Sequence, residues 1–362
     1  MAERETLIIV CIVLGLLVSP ALAVQAAPGE LVRFCTAGGP QEHPDVDGDT
    51  VVWEDGRDGK YIYYSDTPGD TGRRATDGGG GQKYPSVSGD YIVWEDNRNM
   101  SPDVYLFGFS TGTKALTDDP EAQRMPVIYG DHVVWYDTQE DGVDICLYNI
   151  ETDRKTYLDC SPVTEWKPAL SERYVVWEES TGGGDIWAYD IQAREKQRIT
   201  RDSARQTYPA ISGNRIVWED YRNGWGNPDI YMYDLEDGRE SRITRDPAGQ
   251  VSPVIDGDLI AWEDNRGGVW NIYLCDLSLG VEAQMSLAPS STEQLYPAVS
   301  GNRIVWQNGR GSGSDIYAFT YTGGAPPEAE FSTDRTSGTV PLTVRFTDRS
   351  DDDPEEWEWK FG

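Results

Sequence analysis

The side chains in this chain best suited to chemistry are aromatic and acidic. Trp166 ("TEWKP"), Trp225 ("NGWGNP") and Trp270 ("GGVWN") fall in loop-like stretches, and Glu178 and Glu179 follow a tryptophan in "WEES". A flat ring stacks on the apolar C–H face of a sugar, while a carboxylate accepts hydrogen bonds from its hydroxyls. These five are candidate ligand-binding residues; the plainer reading has the tryptophans plugging gaps over packed sheets. "YDTQED" gathers Asp137, Glu140 and Asp141. Calcium takes several such oxygens from loops, so this trio is a candidate metal site with calcium as its cofactor.

Other chemistry is poorly provided for. Only His43 and His132 could supply imidazole, and they fall at opposite ends of the repeat described below. Neither a G-x-S-x-G elbow nor an S-x-D-x-G-x-T-W box occurs. A carbohydrate-active enzyme, glycosidase or lyase, using paired carboxylates stays open as the alternative, because acidic residues are everywhere. On balance, the sequence reads as a binding protein more than an enzyme.

Those acidic residues number 62 Asp and Glu against 31 Lys and Arg, a formal charge of −31 over 362 residues. Such a field repels phosphate backbones and excludes nucleic acid as a partner. It suits a solvated surface, high-salt surroundings or cation binding.

The elements that must position these residues are written as a repeat. Trp53, Trp94, Trp135, Trp177, Trp218, Trp262 and Trp306 each follow two apolar residues, as in "RIVWED", and each lies nine residues after a proline, from Pro44 to Pro297. Each copy holds a short "P-x-h-x-G" strand, an apolar "IVW" strand, a loop rich in Asp, Asn, Arg and Gly, an aromatic strand such as "DIYMYD", and a last strand such as "RIT". Four strands in about 42 residues, in tandem, is the pattern of a β-propeller blade. The expected fold is therefore all-β: a seven-bladed propeller over residues 28–322.

The ends of the repeat predict how the ring closes. The last-strand arginines Arg74, Arg198 and Arg242 stand eleven residues before the next proline, and Arg33 of "RFCT" stands eleven before Pro44. The seventh copy has no last strand of its own. Residues 31–36 are expected to complete it, which removes an open sheet edge.

Five copies carry an Arg two residues after Asp55, Asp96, Asp220, Asp264 or Asn308, namely Arg57, Arg98, Arg222, Arg266 and Arg310. This recurrence predicts structural pairs within a blade or to the next, each stabilising by at most about 1 kcal/mol if partly exposed. Copies three and four lack the Arg, which predicts a local acidic sector there.

At the N-terminus, Arg4 precedes the apolar run "LIIVCIVLGLLV" and the small residues of "SPALA". That is the layout of a secretory signal peptide over residues 1–27, with an uncleaved anchor as the alternative; either places the protein outside the cell or on its surface. Membrane contact is expected only through this segment or through regions beyond the C-terminus. Export permits disulfides; Cys146 with Cys160 is the favoured pair and Cys35 with Cys275 a lesser one. Asn99 opens the sequon "NMS".

After the linker "TGGAPP" the composition changes. "PLTVRFTD", Pro341 to Asp348, and Trp357, Trp359, Phe361 and Gly362 resemble the opening of a PKD domain, a small β-sandwich; residues 323–362 hold about half of one. The seven copies resemble the TolB-type propeller repeats of archaeal cell-surface proteins that also carry PKD domains. That resemblance implies an exported binding or structural protein whose partners are surface polysaccharide or envelope proteins. It implies little about catalysis, since fold alone assigns no function.

Overall fold

Seven four-stranded antiparallel sheets, one per copy, make up the propeller in the computed structural model. It describes residues 8–11, 27–79, 81–139, 142–158, 163–180, 183–279, 284–286, 291–323, 331–333 and 342–348. Blade five is typical: Gln206–Ser212, Arg215–Asp220, Asp229–Asp234 and Arg239–Arg242 run from the inside of the ring outwards. Its second strand is apolar on both faces because neighbouring blades cover both. The seven repeat tryptophans are all 0 % exposed. Each packs into a cluster shared between adjacent blades, as Trp218 does with Val176, Ile186 and Ile199 of blade four.

The seventh blade takes its outer strand from the N-terminus. Gly29–Arg33 runs antiparallel to Asp315–Tyr321, with Arg33 opposite Tyr317. Beyond that ladder, the Phe34 and Cys35 N–H groups both donate to the Ile316 carbonyl, at 2.8 and 3.4 Å. Blade four makes the same pair of bonds from Ile199 and Thr200 to Ile186, and blade five from Ile243 and Thr244 to Ile230. Arg33 reaches Asp315 at 2.6 Å, as Arg198 reaches Asp185 and Arg242 reaches Asp229. The ring closes where the repeat arithmetic predicted, with the strand beginning two residues earlier. On the inner side, the Gly48 N–H donates to the Ser300 hydroxyl at 3.0 Å and joins blade one to blade seven.

Every inner strand carries one β-bulge at the same place. The register slips between Glu42 and Asp45, and likewise in the other six blades. The residue before each repeat proline takes a left-handed backbone, with φ between 48° and 54°, at His43, Tyr84, Met125, Lys167, Tyr208, Ser252 and Tyr296. Proline suits the next position because it has no N–H to leave unpaired where the ladder is broken. Strain at the same place in all seven blades is an architectural device.

The Asp-x-Arg repeat also proves structural, and stronger than expected. In blades one, two, five and six the carboxylates of Asp55, Asp96, Asp220 and Asp264 are completely buried. Each accepts from the indole N–H of its own blade's tryptophan, at 2.9 to 3.1 Å, and from the Arg backbone and side chain two residues on. The guanidinium then lies over the third-strand tyrosine, 4.1 to 4.4 Å from the ring centroid. Full burial of the carboxylate moves these pairs out of the weak, exposed class: losing one partner leaves a buried charge, at a cost of about 3–5 kcal/mol. Arg310, lacking an aspartate, pairs with Glu293 instead.

In blades three and four two of the carboxylates expected to form an acidic sector are paired, while Glu140 and Asp141 lie outside the described residues. Lys155 of the outer strand pairs with Asp137 at 3.0 Å, and Lys196 pairs with Glu179 at 2.8 Å. A lysine from a different strand replaces the missing arginine. The cysteines correct the expectation of a Cys35–Cys275 disulfide: among the described residues Cys35 and Cys146 are buried free thiols, so Cys35 and Cys275 are not bonded to each other. Cys160 lies outside the described residues. Asn99 donates to Asp103 at 2.8 Å on the predicted loop. Beyond the propeller, Leu342–Asp348 pairs with Phe331–Thr333 and with Ile8–Cys11.

If the N-terminal strand completes a blade, its inward residues behave as core. Phe34→Ala is expected to destabilise by about 3–5 kcal/mol, as for a buried aromatic. Leu31→Ala, on the exposed side of the same segment, is expected to cost under about 0.5 kcal/mol. Denaturant melts of the two variants check this; equal, small losses would contradict it.

Candidate functional site at the tunnel mouth

The seven bulge residues gather around the centre of the ring. The His43 ring packs against Tyr84 and Tyr296, at centroid distances of 5.0 and 4.4 Å, and so spans blades two, one and seven. The Lys167 ammonium lies 2.8 Å from the centroid of Tyr208. Immediately behind them comes the residue that follows each repeat tryptophan: Glu54, Glu95, Tyr136, Glu178, Glu219, Glu263 and Gln307, all buried.

The second ring holds the first. The Tyr84 N–H donates to Glu54 at 2.9 Å, Ser252 to Glu219 at 2.8 Å and Tyr296 to Glu263 at 2.8 Å; His43 closes the circuit on Gln307 at 3.3 Å. Each acceptor belongs to the preceding blade. A backbone N–H that the bulge frees from its ladder is thus satisfied across the blade boundary.

Burial bears on the protonation of Glu54, Glu219 and Glu263. Burial pushes Glu219 up to about 6. Burial, with the neighbouring charge of Glu219, pushes Glu263 up to about 7. Burial acts in the same upward sense on Glu54, but the His43 ring, the Tyr84 N–H and Lys60 outweigh it and hold that carboxyl below the ordinary glutamate range. Burial also brings the Lys167 ammonium down to about 8.

Between blades three and five the pattern breaks and a cavity of about 530 Å³ opens. Tyr136 stands here in place of glutamate, and its ring meets Trp166 edge-on at 5.0 Å. Met125, Trp166, Lys167, Glu178, Arg205 and Trp225 contribute to the wall. Glu178 receives Arg205 at 3.2 Å and the Thr207 hydroxyl. Gly184 passes close beneath with φ +108°, and a Cβ there would meet the Gln206 carbonyl at 3.1 Å and Arg205 at 3.3 Å. Trp225, 75 % exposed, leans on Tyr221 at the rim, with centroids 5.3 Å apart.

Of the residues singled out by sequence, Trp166, Glu178 and Trp225 come together at this cavity. Trp270 and Glu179 are not among the residues that line it. Trp270 packs by Pro228 and Gly249, and Glu179 is tied to Lys196. Asp137, expected as a calcium ligand, is buried and receives Lys155 at 3.0 Å, Tyr157 at 2.9 Å and Gln123 at 3.1 Å; an ammonium holds the place of a cation. Glu140 and Asp141 lie outside the described residues. Glu42, His43 and Glu54 approach closely enough to hold a metal, but Lys60 already bridges the two carboxylates at 3.2 and 3.5 Å. His132 contacts Asn149 at 3.2 Å, at the other end of blade three's second strand.

Sequence reasoning missed the two central rings. Their signal was present: the residue before each proline and the residue after each tryptophan occupy fixed places in every copy. The variable identity of the first, which runs His, Tyr, Met, Lys, Tyr, Ser, Tyr, is the mark of side chains facing open space.

No protein-family model and no curated protein matches the chain. Solved structures do. The β-propeller domain of the Trilobed protease from Pyrococcus furiosus, described as having an open velcro topology, is similar over 78 % of this chain and 93 % of its own, at 10 % identity and TM-score 0.58. Oligogalacturonate lyase in complex with manganese is similar over 82 % of this chain and 96 % of its own, at 12 % identity and TM-score 0.57. TolB from Acinetobacter baumannii is matched over 62 % of this chain at 17 % identity and TM-score 0.44, and this chain spans 60 % of that protein. At these identities the likeness of the first two is one of fold: an all-β, seven-bladed propeller.

The glutamate ring makes stability depend on pH. Native Glu263 keeps its proton to about pH 7, whereas the unfolded chain releases it near 4.5. Between these values the native state binds more protons, so this group's contribution falls as pH rises and stays low above 7. Glu263→Gln keeps an acceptor for the Tyr296 N–H, as Gln307 does for His43. It is expected to match the wild type at pH 4.5 and to gain roughly 3 kcal/mol at pH 8. Urea melts at the two values check this; no gain at pH 8 would contradict it.

Proposed function

We propose that the protein is an exported cell-surface binding module whose tunnel-mouth cavity engages surface polysaccharide. The observation that carries this reading is the convergence of Trp166 and Trp225, from different blades, with Glu178 and Arg205 around one cavity of about 530 Å³. Stacking surfaces beside hydrogen-bonding charges suit a ring with apolar faces and polar edges. Export rests on the N-terminal apolar run and its small-residue site, and a surface context rests on the PKD-like segment after residue 322. TolB-type surface proteins combine these features, and an envelope protein held by the same loops is the other partner of this reading.

A second reading, a carbohydrate-active enzyme with paired carboxylates, draws on one observation: Glu219 and Glu263 sit in adjacent blades with raised carboxyls. Both already accept backbone N–H groups, which favours binding over turnover.

A glycan array followed by calorimetry tests the proposal. Trp225→Ala is expected to weaken binding of any array hit at least tenfold without moving the melting temperature, because Trp225 is mostly exposed. Unchanged affinity would remove the cavity as the binding site, and sugar released from a hit would favour the enzyme.

A further inference from the structure

The cavity differs in charge from the molecule that carries it. Acidic residues outnumber basic ones two to one along the chain, yet Lys167 and Arg205 line this wall against Glu178 alone. Glu178 is already occupied by Arg205 and the Thr207 hydroxyl. Glu219, the other carboxylate whose field Lys167 feels, receives the Ser252 N–H at 2.8 Å and the Tyr221 hydroxyl at 3.0 Å. Among the described residues Lys167 has no carboxylate within 4.0 Å, and its ammonium rests on the face of Tyr208. A largely desolvated cation is normally paired, and this one faces the space where a ligand would enter.

Resting on the saccharide reading above, we propose that the ligand is an anionic sugar. Its carboxylate or sulfate ester would complete Lys167 and Arg205 while its ring lies against Trp166 or Trp225. One unpaired ammonium beside a shared guanidinium matches a singly charged group. Burial, which brings the Lys167 ammonium down to about 8, adds a signature: affinity for the anion declines as pH rises through that value, because the deprotonated amine no longer attracts it.

The test uses the full chain and an array of uronic-acid oligosaccharides beside their carboxyl-reduced partners, and of sulfated oligosaccharides beside their desulfated ones. Calorimetry at pH 7 is expected to show at least tenfold preference for one acidic family over its neutral partner, and that family identifies the anion. The preference should shrink about tenfold between pH 7 and pH 9.5. Lys167→Met is tolerable at this backbone position because Met125 occupies its counterpart in blade three; it should abolish the pH dependence and cut the preference several-fold, Arg205 being left as the anion's charged partner, while neutral partners still bind. Trp225→Ala should weaken acidic and neutral sugars alike. Equal affinity for acidic and neutral sugars, or a preference that Lys167→Met leaves undiminished and pH-dependent, overturns the inference and leaves the saccharide reading standing. No binding by any member of the array overturns both.

Discussion

Ring closure is the constraint on which the structure depends. A blade needs four strands, the seventh copy supplies three, and the gap is filled from nearly 290 residues away by Gly29–Arg33. The closing segment repeats in detail what continuous chain does elsewhere: two N–H groups on one carbonyl, an arginine on the first aspartate of the third strand, an apolar side chain in the interblade core. Without it Asp315–Tyr321 would present an unpaired edge at the outside of blade seven, a liability in any sheet protein.

Closure fixes the circumference, and a fixed circumference forces the inner strands together at the centre. The bulge before each proline turns one residue per blade towards the tunnel. At His43, Tyr84, Ser252 and Tyr296 the glutamate or glutamine of the preceding blade accepts the N–H that this turn frees. Where that acceptor is present the tunnel wall is regular, as at Tyr84, Ser252 and Tyr296. Where Tyr136 replaces it, the wall opens into the cavity that Trp166, Lys167, Arg205 and Trp225 share. The candidate site is a local departure from symmetry that the remaining blades are rigid enough to hold.

The fold was legible in the sequence because repetition multiplies a weak signal. One "IVWED" says little; seven tryptophans each nine residues after a proline fix strand order, blade number and the role of Arg33. The site was only half legible. Trp225 announces itself by type as an exposed tryptophan in a loop; Trp166, expected in a loop, lies instead on the inner strand Glu165–Leu170, and the meeting of the two depends on blade geometry. Trp270 has the same sequence signature and does not line the cavity. Glu179 and Asp137 read as free acids because their partners, Lys196 and Lys155, lie on another strand and leave no local spacing. The depth of the Asp-x-Arg pairs was likewise hidden: the repeat showed the pairing, and only packing showed the carboxylates fully buried beneath indole and guanidinium.

Hydrogen exchange at the Phe34 amide tests ring closure most directly. If Phe34 donates to Ile316 within a completed blade, its amide exchanges only with global unfolding, as slowly as those of the strand Arg303–Asn308 beside Trp306. Exchange at the rate of a frayed terminus, while the Trp306 strand stays protected, would mean that the ring is open and that the tunnel is not built as described.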